Sequence, residues 1–260
     1  MNDPRLAAEF SSESTAPPVR RVRDLVEIAP CHGGEECVER REQFRTSMLG
    51  RYVGIGVPGP DQAVAAVVPV VDADAAALAG RTNQFSRRAA RKAERLGYEV
   101  RAIDPRAHLS DIVVVNHSLD ERCGKPMSPA YRRSLAEIET EAGTSIKFAS
   151  PSCDRHWDRW RGVFAAGGGS LIGYARLRRH DDYLLYAQWL GHGDHLDQGV
   201  MHLLHHDILR WVTGDDPAIA DLRMLVYAAW LSGGEGLRFW KRASGFEPAL
   251  LVLDPEGGDA

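Results

Sequence analysis

Positive charge, long apolar runs and paired cysteines are all scarce in this chain, and each scarcity removes a class of protein. The 32 basic residues are outnumbered by 36 acidic ones, for a net charge of −4. A nucleic-acid contact must therefore come from a local basic patch rather than from overall charge. No apolar run approaches the about 20 residues that span a bilayer. The first fourteen residues show no basic segment followed by an apolar one, so no secretory signal is expected, and the expected location is cytoplasmic, away from membranes. The four cysteines, Cys31, Cys37, Cys123 and Cys153, include no Cys-x-x-Cys pair, which leaves neither a zinc ribbon nor a redox motif. Cys31, His32 and Cys37 could contribute to a metal site, but no second pair accompanies them. Reduced structural cysteines and no bound metal are the expectation. The Gly-x-Ser-x-Gly elbow of serine hydrolases is missing. So is a phosphate loop ending in Gly-Lys-Ser/Thr, and no fixed-period repeat is visible.

What remains is an ordinary globular composition, 44% hydrophobic and 26% charged over 260 residues, enough for one large or two small domains. Residues 1–18, rich in serine and proline, read as a flexible tail. Structure is expected from an alternating basic and apolar run at 19–28, followed by a helix over 35–48, a strand over 51–57 and a turn at 58–60. The β-branched run 63–71 fits a buried strand. A strand at 98–103 and helices near 108–120 and 128–142 lead into the last hundred residues. There the order is strand, strand, strand, helix, strand, helix, strand, with Gly167, Gly168 and Gly169 as a hairpin turn. The whole is an α/β or α+β fold, divided into the tail, an N-terminal half over 19–106 and a C-terminal half over 107–260.

One helix breaks the acidic balance. In the segment 82–97, Arg87, Arg88, Arg91, Lys92 and Arg95 fall on one arc of about 140° at helical spacing. Phe85, Ala89, Ala90, Ala93 and Leu96 take the remaining face, where the alanines would let the helix lie close on a sheet, and Gly97 supplies a C-cap. Such a stripe is either a solvated face or a support for several phosphates.

Two glycine-marked junctions punctuate the C-terminal half, at 191–199 and 232–236. Backbone N–H groups entering a helix after a strand favour anionic or carbonyl oxygens, which suggests handling of an activated acyl group. Histidines crowd the first junction and the helix behind it: His192, His195, His202, His205 and His206. His202 and His206 are spaced as in helical zinc sites, but Leu203 stands where a glutamate should be. His205 and His206 read as polar-face or capping residues. His192 and His195, at the junction itself, are the better placed pair for acid–base work.

The element order over 157–254 resembles the GNAT-like acyltransferase superfamily, whose central strands splay to admit an acyl carrier. That resemblance implies a mixed, splayed central sheet flanked by helices, with a partial GNAT-like N-terminal half. At the place of the family's pyrophosphate loop stand His195, Gln198 and Gly199, with one glycine and no Arg or Gln at the first position. Trp240 stands where acyl-CoA enzymes carry a tyrosine. The ending Phe239, Trp240, Lys241, Gly245, Phe246 and the basic stretch 87–97 are similar instead to the aminoacyl-tRNA-dependent transferases, meaning Fem-type peptidyl transferases and arginyl- or leucyl-tRNA–protein transferases. The run 116–127 resembles the link between the two halves of that branch. The chain lacks a long helical arm, which makes a small-molecule or peptide amine easier to accommodate than peptidoglycan.

The resemblance implies amide-bond formation from an aminoacyl-tRNA co-substrate, with no other cofactor. Lys241 is the candidate cation for the tetrahedral oxyanion, helped by backbone N–H groups near Gly234. His192, His195 or Asp194 would take the amine proton. Gln188, Tyr227 and Trp230 are candidates for the substrate pocket, and Arg87, Arg88, Arg91, Lys92, Arg95 and Arg242 for tRNA contact. An acyl-CoA N-acyltransferase with a degenerate carrier loop is the alternative. A third reading is a silent domain that only binds RNA or protein.

Overall fold

In the computed structural model the described residues are 19–23, 34–50, 62–70, 83–122, 125–149, 153–230 and 233–254. The expected tail, the strand 51–57 with its turn, and Cys31, His32 and Cys123 lie outside them. Ten strands and six α-helices follow one another among the described residues. They are β1 (Val19–Arg23), α1 (Gly34–Gly50), β2 (Gln62–Pro69), α2 (Gln84–Arg95), β3 (Glu99–Ile103), α3 (Leu109–His117), β4 (Glu121–Arg122) and β5 (Lys125–Pro126). Next come α4 (Leu135–Thr144), β6 (His156–Phe164), β7 (Leu171–His180), β8 (Tyr183–Gly191), α5 (Val200–Val212), β9 (Met224–Ala229), α6 (Glu235–Ala243) and β10 (Glu247–Asp254). The element order expected over 157–254 is the one observed.

One sheet of eight strands carries the molecule, in the order β1-β10-β2-β9-β8-β7-β6-β3. It is mixed: β1 with β10 and β8 with β9 run parallel, and the other neighbours are antiparallel. Strands from before and after residue 106 are hydrogen-bonded into this same sheet. The strand β7 is buried along nearly its whole length because helices cover both faces. On one face α5 supplies Val200, Leu204, Ile208 and Val212 against Leu177, Leu184, Tyr186 and Leu225. On the other, Ile112 and Val115 of α3 and Ile138 and Ala142 of α4 pack on Trp160, Phe164, Tyr174 and Leu190. Tyr174 donates to Asn116 Oδ1 at 2.6 Å, which satisfies both polar groups in this layer. The hairpin between β6 and β7 turns on Gly167 and Gly168, whose φ values of 78° and 73° are open to glycine.

The basic helix departs from expectation in what it packs on. Its buried residues are Ser86, Ala90 and Ala93; the two alanines meet Leu203 of α5, with Tyr98 and, from β3, Val100 at the edge, and Ser86 meets His202 and His206. Gly199 shows why both partners must be small there. A Cβ at Gly199 would sit 2.3 Å from the backbone oxygen of Ala89. Phe85 and Leu96, expected on the packed face, are about half exposed. Among the described residues no helix is long and apolar enough to cross a membrane.

Candidate functional site

The parallel pair β8 and β9 is joined over three positions only, Tyr183 with Met224, Leu184 with Leu225 and Leu185 with Val226. Beyond that point β8 continues to Gly191 and β9 to Ala229 without pairing to each other. The strands diverge, and a cavity of about 550 Å³ opens at the gap. Trp189, Leu190 and Gly191 line it from β8, and Tyr227 from β9. Met201 and His202 come from α5, Leu237 and Trp240 from α6, and Arg122 and Tyr131 from the segment that crosses the mouth. A β-bulge contributes to the divergence: between Leu177–Tyr186 and Arg176–Gln188 the register slips, leaving Ala187 as the extra residue.

The floor is aromatic. Trp240 packs on Trp189 at 5.6 Å and on Tyr227 at 5.4 Å between ring centroids, and Phe246 lies beneath Tyr227 at 5.7 Å. Two polar groups stand in the wall. Arg122 donates to the Gly191 carbonyl at 2.7 Å, which fixes its guanidinium at the edge of the divergence. His202 has its Nδ1 2.9 Å from Ser86 Oγ, and the same oxygen lies 3.0 Å from His206 Nε2. One hydroxyl donates once, so one of these imidazoles must donate to it. Burial pushes His202 down to about 4, with the nearby His206 adding to the effect, so the ring is neutral at ordinary pH. His206 is likewise lowered to about 4, by burial first and then by Arg210, Arg87 and Arg91. His205 is lowered to about 3 by burial. Its Nε2 donates to the Ser244 carbonyl at 2.8 Å, and its Nδ1 accepts from Tyr186 at 3.0 Å.

Several residues singled out from sequence are placed elsewhere. Lys241 is fully buried behind the cavity, with its ammonium donating to the carbonyls of Ala229 at 2.5 Å and Trp230 at 3.0 Å, so it braces the end of β9 instead of facing a substrate. His192 caps the short 3-10 helix Gly193–Gln198 by accepting from the Asp194 backbone at 3.3 Å. The Asp194 side chain points to solvent, at 86% exposure. His195 is tied to Tyr98 at 2.7 Å. None of the three lines the cavity. His205 and His206, expected on a polar face, are buried. Gln188 sits across from Arg176 on the side of β8 opposite Trp189. Trp230 belongs to the main core, and Gly234 is the N-cap of α6. Of the expected pocket residues only Tyr227 lines it.

The basic helix, by contrast, adjoins the site. Phe85 in its first turn makes edge contacts with His202 at 5.5 Å and with Phe239 of α6 at 5.2 Å. Arg88, Arg91 and Arg95 are exposed, as is Arg242 on α6. Arg87 is half-buried beside His206. Lys92 reaches the Asp197 carbonyl at 2.9 Å and so pins the loop ahead of α5. Sequence reasoning missed His202, Trp189 and Arg122. His202 could have been found from its spacing with Leu203 and Leu209, which sets it on the edge of the apolar stripe of α5.

No protein-family model matches the chain, and no curated protein sequence does. Among solved structures, that of FemX superposes over 74% of this chain and 60% of its own length, with a TM-score of 0.51 at 11% identity. A conserved protein of unknown function from Bacteroides thetaiotaomicron reaches 0.47 at 13% identity over 74% of this chain and 60% of its own. L-PGS from Bacillus licheniformis reaches 0.45 at 10% identity over 71% and 57%. The chain thus spans less than two thirds of the length of each. At such identities the likeness is one of fold. The class defined by the splayed mixed sheet is the GNAT-like fold. Within that class, the architecture is the one shared with FemX.

Proposed function

We propose that this protein is an acyltransferase that takes an aminoacyl group from a charged tRNA and joins it to an amine as an amide. The observation that carries the reading is the strand divergence opening onto an aromatic cavity whose wall holds a neutral imidazole. The acyl ester enters at the gap, with the acyl side chain against Trp189, Tyr227 and Trp240. The amine attacks the ester carbonyl, the tetrahedral oxyanion forms, and the ribose oxygen leaves with the electron pair. His202 accepts the amine proton through Nε2, in the tautomer where its Nδ1–H donates to Ser86, and returns a proton to the leaving oxygen. Arg122 supplies positive charge at the edge of the same cavity. The exposed arginines of α2 take the phosphates of the tRNA, an interaction that weakens with salt.

Support for tRNA over CoA as the carrier comes from the start of α5. In acyl-CoA enzymes the corresponding helix N-terminus receives the pyrophosphate, as the resemblance to that superfamily implies. Here α2 lies against Gly199 at that very place, and Lys92 is spent on the loop beside it. The resemblance of the ending over 239–246 and of the basic stretch 87–97 to the aminoacyl-tRNA-dependent branch supports the same reading. Incubation with a pool of radiolabelled aminoacyl-tRNAs beside labelled acetyl-CoA, with a mixture of amines and peptides, tests the proposal. Consumption of the aminoacyl ester supports it. Consumption of acetyl-CoA, or tRNA binding with no transfer to any acceptor, overturns it.

A further inference from the structure

On the side of the sheet where α1 docks, Cys37, Cys153 and His156 bring two sulfurs and an imidazole nitrogen within 4.8 Å of one another. All three side chains are buried, and neither cysteine is joined in a disulfide. Cys153 Sγ and His156 Nδ1 are 3.7 Å apart. A tetrahedral zinc with Zn–S of about 2.3 Å and Zn–N of about 2.0–2.1 Å sets that ligand–ligand edge at about 3.6 Å. Two thiolates and an imidazole form a soft donor set, which suits zinc and disfavours magnesium or calcium.

The helix that carries Cys37 is also tied to β6 at a neighbouring residue. Among the side chains of α1 that are described, Cys37 and Arg40 are the buried ones, and Val38 is 56% exposed. Arg40 binds Asp158 of β6 and donates to the Ile146 carbonyl at 2.9 Å, one turn from Cys37. Cys153 and His156 flank the start of that same strand β6. We propose that Cys37, Cys153 and His156 bind a zinc ion that fastens α1 to β6. Zinc binding would take up the cysteines as thiolates and release their protons. Reading the cysteines by sequence spacing misses the site because Cys37 lies more than a hundred residues from Cys153 and His156. Cys31 and His32 lie outside the described residues.

The test uses the full chain, purified without a histidine tag or chelator. Elemental analysis is expected to give about one zinc per chain. Cys37→Ser and Cys153→Ser should lose the metal, and His156→Cys, which replaces one ligand by another, should retain it. Because a serine variant could fail to fold, the wild-type protein provides a second reading. After chelation, cobalt(II) should produce a thiolate-to-metal charge-transfer band and restore the melting temperature lost on chelation. The proposal is overturned if folded wild-type protein carries no zinc and gives no cobalt–thiolate band, if the metal found is iron in a sulfide cluster, or if Cys37 and Cys153 prove to be joined as a disulfide.

Discussion

Ser86 on the basic helix and His202 in the cavity wall are joined by a 2.9 Å hydrogen bond between Oγ and Nδ1. The helix proposed to meet the tRNA and the imidazole proposed to take the proton are therefore parts of one buried contact. Ser86 has no exposed surface, and the bond fixes which nitrogen of His202 the cavity can use.

His202→Gln is expected to lower turnover about 10²- to 10⁴-fold, the range of a lost general base. The affinity for charged tRNA should stay close to wild type. Ser86→Ala should reduce turnover less, because it frees the tautomer without removing the base. Single-turnover rates at saturating tRNA separate these cases, and wild-type rates for His202→Gln would remove the residue from the chemistry.

The buried histidines predict a particular acid response. His202 and His206 at about 4 and His205 at about 3 all lie below the usual 6.5. Between these values and 6.5 the unfolded chain binds more protons than the folded one, so stability rises with pH across that window. Their contribution is complete above about pH 6.5 and is lost as pH falls toward 4, at up to about 1.4 kcal/mol per pH unit for each histidine. Urea unfolding from pH 7.5 to 4.5 should show this slope, and His206→Gln should make it shallower.

Charge reversal at Arg88 and Arg91 should weaken tRNA binding severalfold and reduce the salt slope by about one per residue removed from phosphate contact. Both side chains are exposed, so the melting temperature should not move. Filter binding across a range of salt concentrations reads the effect. Unchanged affinity would make α2 a solvated surface.

Lys241 is expected to act on stability more than on chemistry. Its ammonium holds the Ala229 and Trp230 carbonyls at the diverged end of β9, and Lys241→Ala, which leaves both buried acceptors without it, should cost about 3 kcal/mol. Denaturant melts give the size of the loss. If turnover collapsed while stability held, Lys241 would be a direct participant instead.

Gly199→Ala should be far more damaging than Gly168→Ala. Both glycines have positive φ, 85° and 73°, but a Cβ at Gly199 meets Ala89 backbone while one at Gly168 meets nothing within 4 Å. The Gly168 change should cost about 1 kcal/mol from backbone conformation alone. At Gly199 the two helices must also part, so a melt that shows equal losses would contradict the close approach.

Much of the framework was legible in the residues themselves. Periodicity and glycine breaks gave every strand and α-helix over 157–254, because those elements are long and their apolar patterns are clean. The splay could be expected only through the family resemblance, since pairing between β8 and β9 depends on contacts across some forty residues of chain. Site residues were harder. His192 and His195 attract notice at a junction, yet short-range capping and a bond to Tyr98 use them locally. His202 looks like one member of a helical row, and only the position of α2 reveals which way it is held. Lys241 illustrates the same gap: sequence marks a cation near the last strand, but burial decides that it faces carbonyl groups of the protein itself.

The gap between β8 and β9 is framed by main chain that is clamped at one end by three paired residues. Its aperture is consequently a property of the scaffold and not of the side chains lining it. Exchanging Trp189, Tyr227 or Trp240 for smaller aromatics or aliphatics should therefore reshape what fits inside while leaving the doorway at the same width. If the protein is the proposed acyltransferase, a chain of this design could be tuned toward different acyl groups by a few lining changes, with the carrier still entering by one route.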